Sequence, residues 1–456
     1  MATTAVDRRR RIGALPVVLA VAFVSIASCI RPDSSSPAPE SDPLVIRTRR
    51  PASGAPPATP PDNAPARPSA SGQPLPALPA SSPPMDVGLV VDSESATIGG
   101  GSAIDLVAAP GGWSIRLAAG APARVTARRN EVVVGGSPRG NTLDIHSTGQ
   151  GSIRVNGRDY RGRVRISAEG GELTVVNTLT LDEYLVGVVA AELGRRPVSD
   201  WEAVAAQAIV SRTYALRSRG RWREEGFDVR ATVSDQVYGG VGAEDPVASE
   251  AVAATAGLAI TWNGKPIDAF FFSTCGGHTE RGTEVFRGAD GPYLRGGSDL
   301  APDGTAYCSL SPRYRWREEF TGDALRQALR RYLPAAVGTP PARVTRIRDV
   351  AITSRTESGR ARTLAVALPG STVDVPSNQI RSVLRPASGE ILRSTLIQLG
   401  VRRDGDEVTH LVVEGSGNGH GVGFCQWGAM GRARAGQSYA EIIEAYYPGT
   451  RIERVY

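Results

Sequence analysis

Among the residue types able to do chemistry, one glutamate stands out by position. Glu192 lies in the segment Leu181–Leu193 (LDEYLVGVVAAEL), where Leu181, Leu185, Val188 and Val189 recur at helical spacing. It falls three and four residues beyond Val189 and Val188, in line with that apolar stripe. Burial disfavours an ionised carboxylate and raises its pKa. A glutamic acid poised near pH ~6–7 is what general acid catalysis at neutral pH requires. The bland alternative is a helix-end glutamate turned outward, or paired with Arg195, Arg196 or Arg212. Arg212 itself lies on the core-facing stripe of the next segment, at Trp201, Ala205, Ala208 and Arg212. An inward Glu and an inward Arg on facing helices predict a cleft with an ion pair or a substrate clamp; a purely structural pair is the competing reading.

Two further clusters carry small polar groups. In Phe270–Glu280 (FFFSTCGGHTE) an apolar strand runs into a Gly-Gly turn with Ser273, Gly276 and Gly277, where backbone can approach a ligand. Cys275 and His278 have Cys-x-x-His spacing, compatible with two ligands of a zinc site. In Gly415–Ala429 (GSGNGHGVGFCQWGA) His420, Cys425 and Gln426 sit in a glycine-rich loop. That loop lacks the Gly-Lys-Ser/Thr ending of a phosphate loop and the setting of a dinucleotide fingerprint.

These residues need elements to hold them. Leu181–Leu193 and a helix opening at a Ser199-x-x-Glu202 capping box form a helical hairpin. Asp245–Ala256 reads as a third helix. Leu258–Trp262 and Lys265–Ser273 flank Asn263-Gly264, a hairpin signal, and a last helix starts at Ser438-x-x-Glu441. Before them, short alternating stretches broken by glycine (Val87–Val91, Trp113–Leu117, Glu131–Val134, Leu143–Ile145, Ser152–Val155, Arg163–Ile166) read as antiparallel strands. The expected class is α+β: a β-rich part over 86–176, then a mixed helix/strand catalytic body over 177–456 with a helical hairpin lining a cleft. The stretch from Gly322 to Leu399 alternates helix-like (Ala324–Tyr332) and strand-like (Val344–Ile352, Thr363–Leu368) patterns and suggests no chemistry.

The front of the chain reads as transport and tether. Arg8–Arg11 precede an apolar run from Ile12 to Ile26, too short for a comfortable transmembrane helix, followed by Ala27, Ser28 and Cys29. Residues 1–29 are expected to be a lipoprotein signal, with Cys29 as the lipidated residue of an exported, membrane-anchored protein facing the periplasm or cell wall. Residues 30–85 are rich in Pro, Ala and Ser, and sixteen of the 33 prolines fall there. So few large apolar residues cannot offset the ordering entropy, so the segment reads as a disordered tether. The formal charge of +6 is weighted toward the first 85 residues and forms no Lys/Arg stripe, which argues against a nucleic-acid partner. With Cys29 set aside, Cys275, Cys308 and Cys425 remain. In an oxidising compartment an odd count implies one disulfide plus a free thiol, or a metal site.

Taken in order, the motifs resemble those of the stage II sporulation protein D (SpoIID/LytB) family. They are Leu181-Asp-Glu-Tyr-Leu-x-Gly-Val-Val with Ala-Glu192-Leu and Pro197; Ala206-Gln207-Ala208-x-x-Ser211-Arg212-Thr-Tyr214-Ala; Gln236-Val-Tyr238-Gly-Gly; Ser273-Thr-Cys275-Gly276-Gly277-His278-Thr-Glu280; and Gly419-His420-Gly-Val-Gly-x-x-Gln426-x-Gly-Ala with Tyr446-Tyr-Pro-Gly449. The resemblance implies a peptidoglycan lytic transglycosylase that cuts glycan strands between N-acetylmuramic acid and N-acetylglucosamine. Glu192 would be catalytic, with Arg212 as cleft partner and Gln207, Tyr214, Gln236, Tyr238, Ser273, Gly276, Gly277, His420 and Gln426 in contact with substrate. No cofactor is required by that reaction. Some members bind zinc through Cys and His, here Cys275 and His278, with Cys308 or Cys425 completing the set; convergence of only two cysteines would instead imply a disulfide. The family often has Ser where Cys425 stands, and many members lack the Cys/His pair.

Transglycosylation suits a lone carboxylate. Most glycosidases need a second one to activate water or attack the sugar, whereas a lytic transglycosylase uses the substrate's own 6-hydroxyl and leaves a 1,6-anhydro end. The family also includes enhancers of a cell-wall amidase, so a non-catalytic peptidoglycan-binding role with an amidase as partner is the alternative.

Overall fold

The computed structural model describes residue 78 and residues 81–456, apart from 110, 150 and 378. The lipoprotein signal, Cys29 and nearly all of the tether lie outside the described residues. The fold is α+β. Each stretch read as an antiparallel strand before residue 176 coincides with a strand or lies within one residue of it.

Two sheets make the N-terminal part. The larger has seven strands in the order Val229–Arg230, Pro84–Ser93, Glu172–Thr180, Arg163–Glu169, Thr142–Ser147, Ile104–Ala109 and Ser114–Leu117. The smaller has six, built around Ser95–Gly100 and Ala123–Arg128. Their strands alternate buried and partly buried residues, as in Ile104–Ala109, where Ile104, Leu106 and Ala108 are buried. This β part shares one continuous core with the helices that follow: Met85, Val87 and Val175 belong to the same apolar cluster as Leu185, Val204 and Tyr447. The 176/177 boundary is thus a change of element type within one core.

Among the described residues seven α-helices follow in chain order: α1 Leu181–Leu193, α2 Trp201–Ser218, α3 Pro246–Ala254, α4 Gly322–Val337, α5 Gln379–Val383, α6 Gln426–Arg434 and α7 Tyr439–Tyr446. Thr180 and Glu183 close a capping box on α1, leaving little freedom in where the helix begins. Ten of the thirteen α1 residues are buried, so it is a core helix rather than an amphipathic one. The Ser199-x-x-Glu202 box does not form: residues Val198–Asp200 make a 3-10 turn, and Glu202 accepts instead from the Tyr439 N–H at 2.9 Å. The Ser438–Glu441 box is present on α7. Asn263 (φ 50°) and Gly264 (φ 71°) take the left-handed conformations of a tight hairpin turn, but the strand after it ends at Pro266 and resumes only at Phe271–Phe272.

Residues 315–416 contribute a second body. The strands Arg315–Thr321, Ile397–Asp404 and Glu407–Ser416 form one sheet, and Asp349–Arg355, Ala361–Leu368 and Ser371–Pro376 another. With α4 they enclose a separate core that includes Phe320, Leu329, Leu364, Val375 and Leu411. Arg360, in the turn between two of these strands, reaches back to the first body. It donates to the carbonyl oxygens of Cys275 (2.7 Å) and His278 (2.9 Å).

Candidate functional site

Glu192 lies one residue from the C-terminal end of α1, where three remote segments meet. Its Oε1 accepts the Val237 N–H at 2.8 Å, and its Oε2 faces Gln426 Nε2 at 3.5 Å. The side chain as a whole keeps some contact with solvent. Its carboxyl group is nevertheless enclosed densely enough for burial to push the pKa up to about 7, against the opposing pull of the Val237 N–H and the Gln426 amide. The protonated and ionised forms are therefore both populated near neutral pH.

Packing of the 236–239 segment onto α1 fixes the Val237 donor. The Gly239 N–H donates to Gly187 O at 3.3 Å. The Tyr238 ring lies between Tyr184 and Tyr160, with centroids 5.1 and 5.6 Å away, and its hydroxyl donates to Asn177 Oδ1 at 3.2 Å. Gly187 makes this approach possible: a Cβ there would stand 2.6 Å from the Tyr238 ring. Tyr238 is therefore a buried wedge under Glu192, not a substrate contact. Gln426 is set by the start of α6, whose cap is the Cys425 sulfur accepting the Gly428 N–H. The next residue, Trp427, donates its N–H to Ser273 O at 3.0 Å and lies under the Arg196 guanidinium, 5.0 Å from its ring centre.

Other expected site residues take different posts. Arg212 does not meet Glu192. It is fully buried and paired with Asp182 (2.9 Å), and it also donates to the Tyr456 hydroxyl and to the carbonyls of Val252 and Leu258. Asp182 and Glu192 are ten residues apart on α1, about 15 Å along its axis at 1.5 Å per residue, so Arg212 is a core clamp at the far end. His420 has both ring nitrogens engaged by backbone: Nε2 donates to Phe271 O (2.9 Å) and Nδ1 accepts from Val422 N (3.1 Å). Burial, among the rings of Phe270, Phe272 and Phe286, pushes its pKa down to about 3. It is a neutral strand tie with no nitrogen left for a sugar.

Tyr214 bonds Asp235 (3.2 Å), a buried carboxylate that also accepts from Trp222 Nε1, Arg221 and the Arg230 N–H and so ties the 220–236 loop together. Gln207 donates to Ser211 Oγ (2.9 Å), and Gln236 accepts weakly from the Tyr184 hydroxyl (3.4 Å). Gln207 Oε1 and Gln236 Nε2 have no partner among the described residues. Ser273 Oγ lies 3.2 Å from Thr274 Oγ1. The Asp182, Asp235 and Val237 contacts carry no sequence signal, because each joins residues far apart in the chain.

The cysteines converge without forming a disulfide. Cys275, Cys308 and Cys425 are fully buried and gather with Asp299; the four ligand atoms lie within 4.8 Å of one another. His278 is not among them. Its Nδ1 donates to Thr279 O at 2.7 Å, and its backbone pairs with Ser298. Gly276 and Gly277 turn their N–H groups toward this sulfur cluster rather than toward an open surface.

The model of the stage II sporulation protein family matches residues 169–262, which contain α1, α2, Glu192 and the 236–239 segment. A domain of unknown function matches residues 300–423, the second body with its approach. An uncharacterized protein of Brachyspira hyodysenteriae is 29% identical over 306 residues, 66% of this chain and 74% of that protein. The amidase enhancer of Bacillus subtilis is 28% identical over 349 residues, 66% of this chain and 47% of the enhancer, so the match leaves about half of that protein uncovered. Stage II sporulation protein D of Bacillus subtilis is 31% identical over 296 residues, 61% of this chain and 75% of that protein. The motifs around Glu192, their place on α1 and α2 and the span of these matches agree: the chain belongs to the stage II sporulation protein D family.

Proposed function

We propose that this chain is an exported peptidoglycan lytic transglycosylase with Glu192 as its sole acid and base. In this reading the protonated Glu192 gives its proton to the bridging oxygen as the bond from that oxygen to C1 of N-acetylmuramic acid breaks. The ionised carboxylate then takes the proton of the same sugar's 6-hydroxyl as its oxygen closes on C1. The product ends in a 1,6-anhydro ring, no water is consumed, and Glu192 regains its proton. The observation that carries the reading is a carboxyl group held near pH 7 whose hydrogen-bond partners, Val237 N–H and Gln426, include no second acid. One carboxylate suits a reaction in which the substrate supplies the nucleophile. Anchoring through Cys29 and the 30–85 tether belongs to the same proposal, and would let the body reach glycan away from a membrane. Among the described residues no helix is long and apolar enough to cross one.

The match to a protein named amidase enhancer supports a second reading, in which the chain binds peptidoglycan and acts through an amidase. Incubation of the purified protein alone with sacculi, followed by mass analysis of soluble fragments, separates the two. The transglycosylase reading expects anhydro-muramyl ends, lost in Glu192→Gln by at least ~10²-fold, the scale of general acid–base catalysis. Absence of such ends from wild type, with release only after an amidase is added, selects the enhancer.

A further inference from the structure

We infer that Cys275, Cys308, Cys425 and Asp299 form a structural site for a thiophilic divalent cation of the zinc class, distinct from a Cys275/His278 pair. A tetrahedral zinc ion with sulfur at ~2.3 Å and oxygen at ~2.0–2.2 Å spaces its ligand atoms roughly 3.5–3.8 Å apart. Here Cys275 Sγ stands 3.4 Å from Cys308 Sγ and 3.0 Å from Asp299 Oδ2, and all four ligand atoms fall within 4.8 Å of one another. The set closes around a small centre from four separate points of the chain. No fifth position faces solvent, since all four residues are buried, as a closed structural site requires.

Backbone N–H groups converge on the sulfurs. Cys425 Sγ receives the N–H groups of Cys275 (3.1 Å) and Gly428 (3.2 Å), and Cys275 Sγ receives the Gly277 N–H (3.3 Å). Cys425 also caps the N-terminus of α6, where the helix dipole favours negative charge. Three sulfurs and a carboxylate gathered out of contact with water are costly unless something binds them together.

Asp299 is held by neighbours of the kind that orient a metal-binding carboxylate. Its Oδ1 is occupied by Arg432 Nε (2.9 Å) and the Tyr446 hydroxyl (3.0 Å), which leaves Oδ2 turned to the sulfurs. Arg360 lies buried behind the Cys275 carbonyl. Three thiolates and a carboxylate are offset by a divalent ion and these two guanidiniums, so the loaded site is neutral. Loading releases the thiol protons to solvent and makes affinity fall with pH. Such an ion would pin the 273–277 turn, the 299–308 loop and the start of α6, the last of which presents Gln426 to Glu192.

The test is the metal content of the full-length protein purified under reducing conditions, reconstituted with zinc and desalted. Zinc stoichiometric with protein is expected. Exchange for cobalt should give strong sulfur-to-cobalt charge-transfer absorption and tetrahedral visible bands. Cys308→Ser should lose both signals, and His278→Ala should retain them. Should Cys308→Ser fail to fold, the wild-type cobalt spectrum and His278→Ala still decide. Sub-stoichiometric zinc in wild type, loss of metal from His278→Ala, or a Cys275–Cys308 disulfide found by peptide mapping would each overturn the site. None of these readouts involves glycan cleavage, so failure here leaves the Glu192 reading intact.

Discussion

With its pKa near 7, Glu192 is mostly protonated in mildly acidic solution and mostly ionised in mildly alkaline solution. A reaction that begins with proton donation should then show kcat/KM constant on the acid side and falling tenfold per pH unit above about 7. The Gln426 amide favours the charged form. Gln426→Leu should therefore move the alkaline limb to higher pH, which a pH–rate profile on defined glycan chains would register. The same shift affects folding. The folded-state pKa lies above the ordinary 4.5, so this group's contribution to stability is fully present below 4.5 and is lost as pH rises through about 7. Glu192→Gln should abolish cleavage yet make the protein more stable than wild type in mildly alkaline solution, by about 1–3 kcal/mol, read by denaturant unfolding on both sides of neutrality. Equal stability of mutant and wild type at alkaline pH would contradict the enclosed carboxyl.

At the scale of elements, α1 carries three acidic side chains with separate tasks, of which Glu183 closes the N-terminal capping box. Asp182 at its start is buried against Arg212 of α2, while Glu192 at its end faces the 237 and 426 segments. Removing one partner of a buried pair leaves an uncompensated charge and typically costs about 3–5 kcal/mol. Arg212→Met and Asp182→Asn should each lower stability by that order, measured by denaturant unfolding. The fraction that remains folded should keep its kcat, because the pair sits a helix-length from the reacting group. A large fall in kcat with unchanged stability would instead place Arg212 in the site.

At the scale of the molecule, two cores meet across a polar seam in which Arg360 bonds the Cys275 and His278 carbonyls, Glu280 accepts from Thr356 and Ser358, and Arg362 pairs with Glu284. Leu329, fully buried in the second core, offers a local probe. Leu329→Ala should cost about 2–5 kcal/mol, and hydrogen exchange should rise across 315–416 while α1 and α2 stay protected. Loss of protection throughout would mean that the two bodies unfold as one unit.

The sequence by itself determined whatever depends on neighbours in the chain. The extent of α1, the Asn263-Gly264 turn, the Ser438 cap and the strands before residue 176 follow from periodicity and turn chemistry, which act over a few residues. Glu192 was legible for the same reason, through its alignment with the stripe of its own helix. Tertiary structure decided what depends on distant partners. Glu202 was drawn from its local cap to Tyr439, Arg212 to Asp182 rather than Glu192, and His420 to the backbone of two strands. Asp299 rather than His278 joined the three cysteines. A buried charge or thiol is placed by whichever groups the packed chain brings around it, and desolvation makes that choice costly to get wrong; spacing along the sequence holds no record of it.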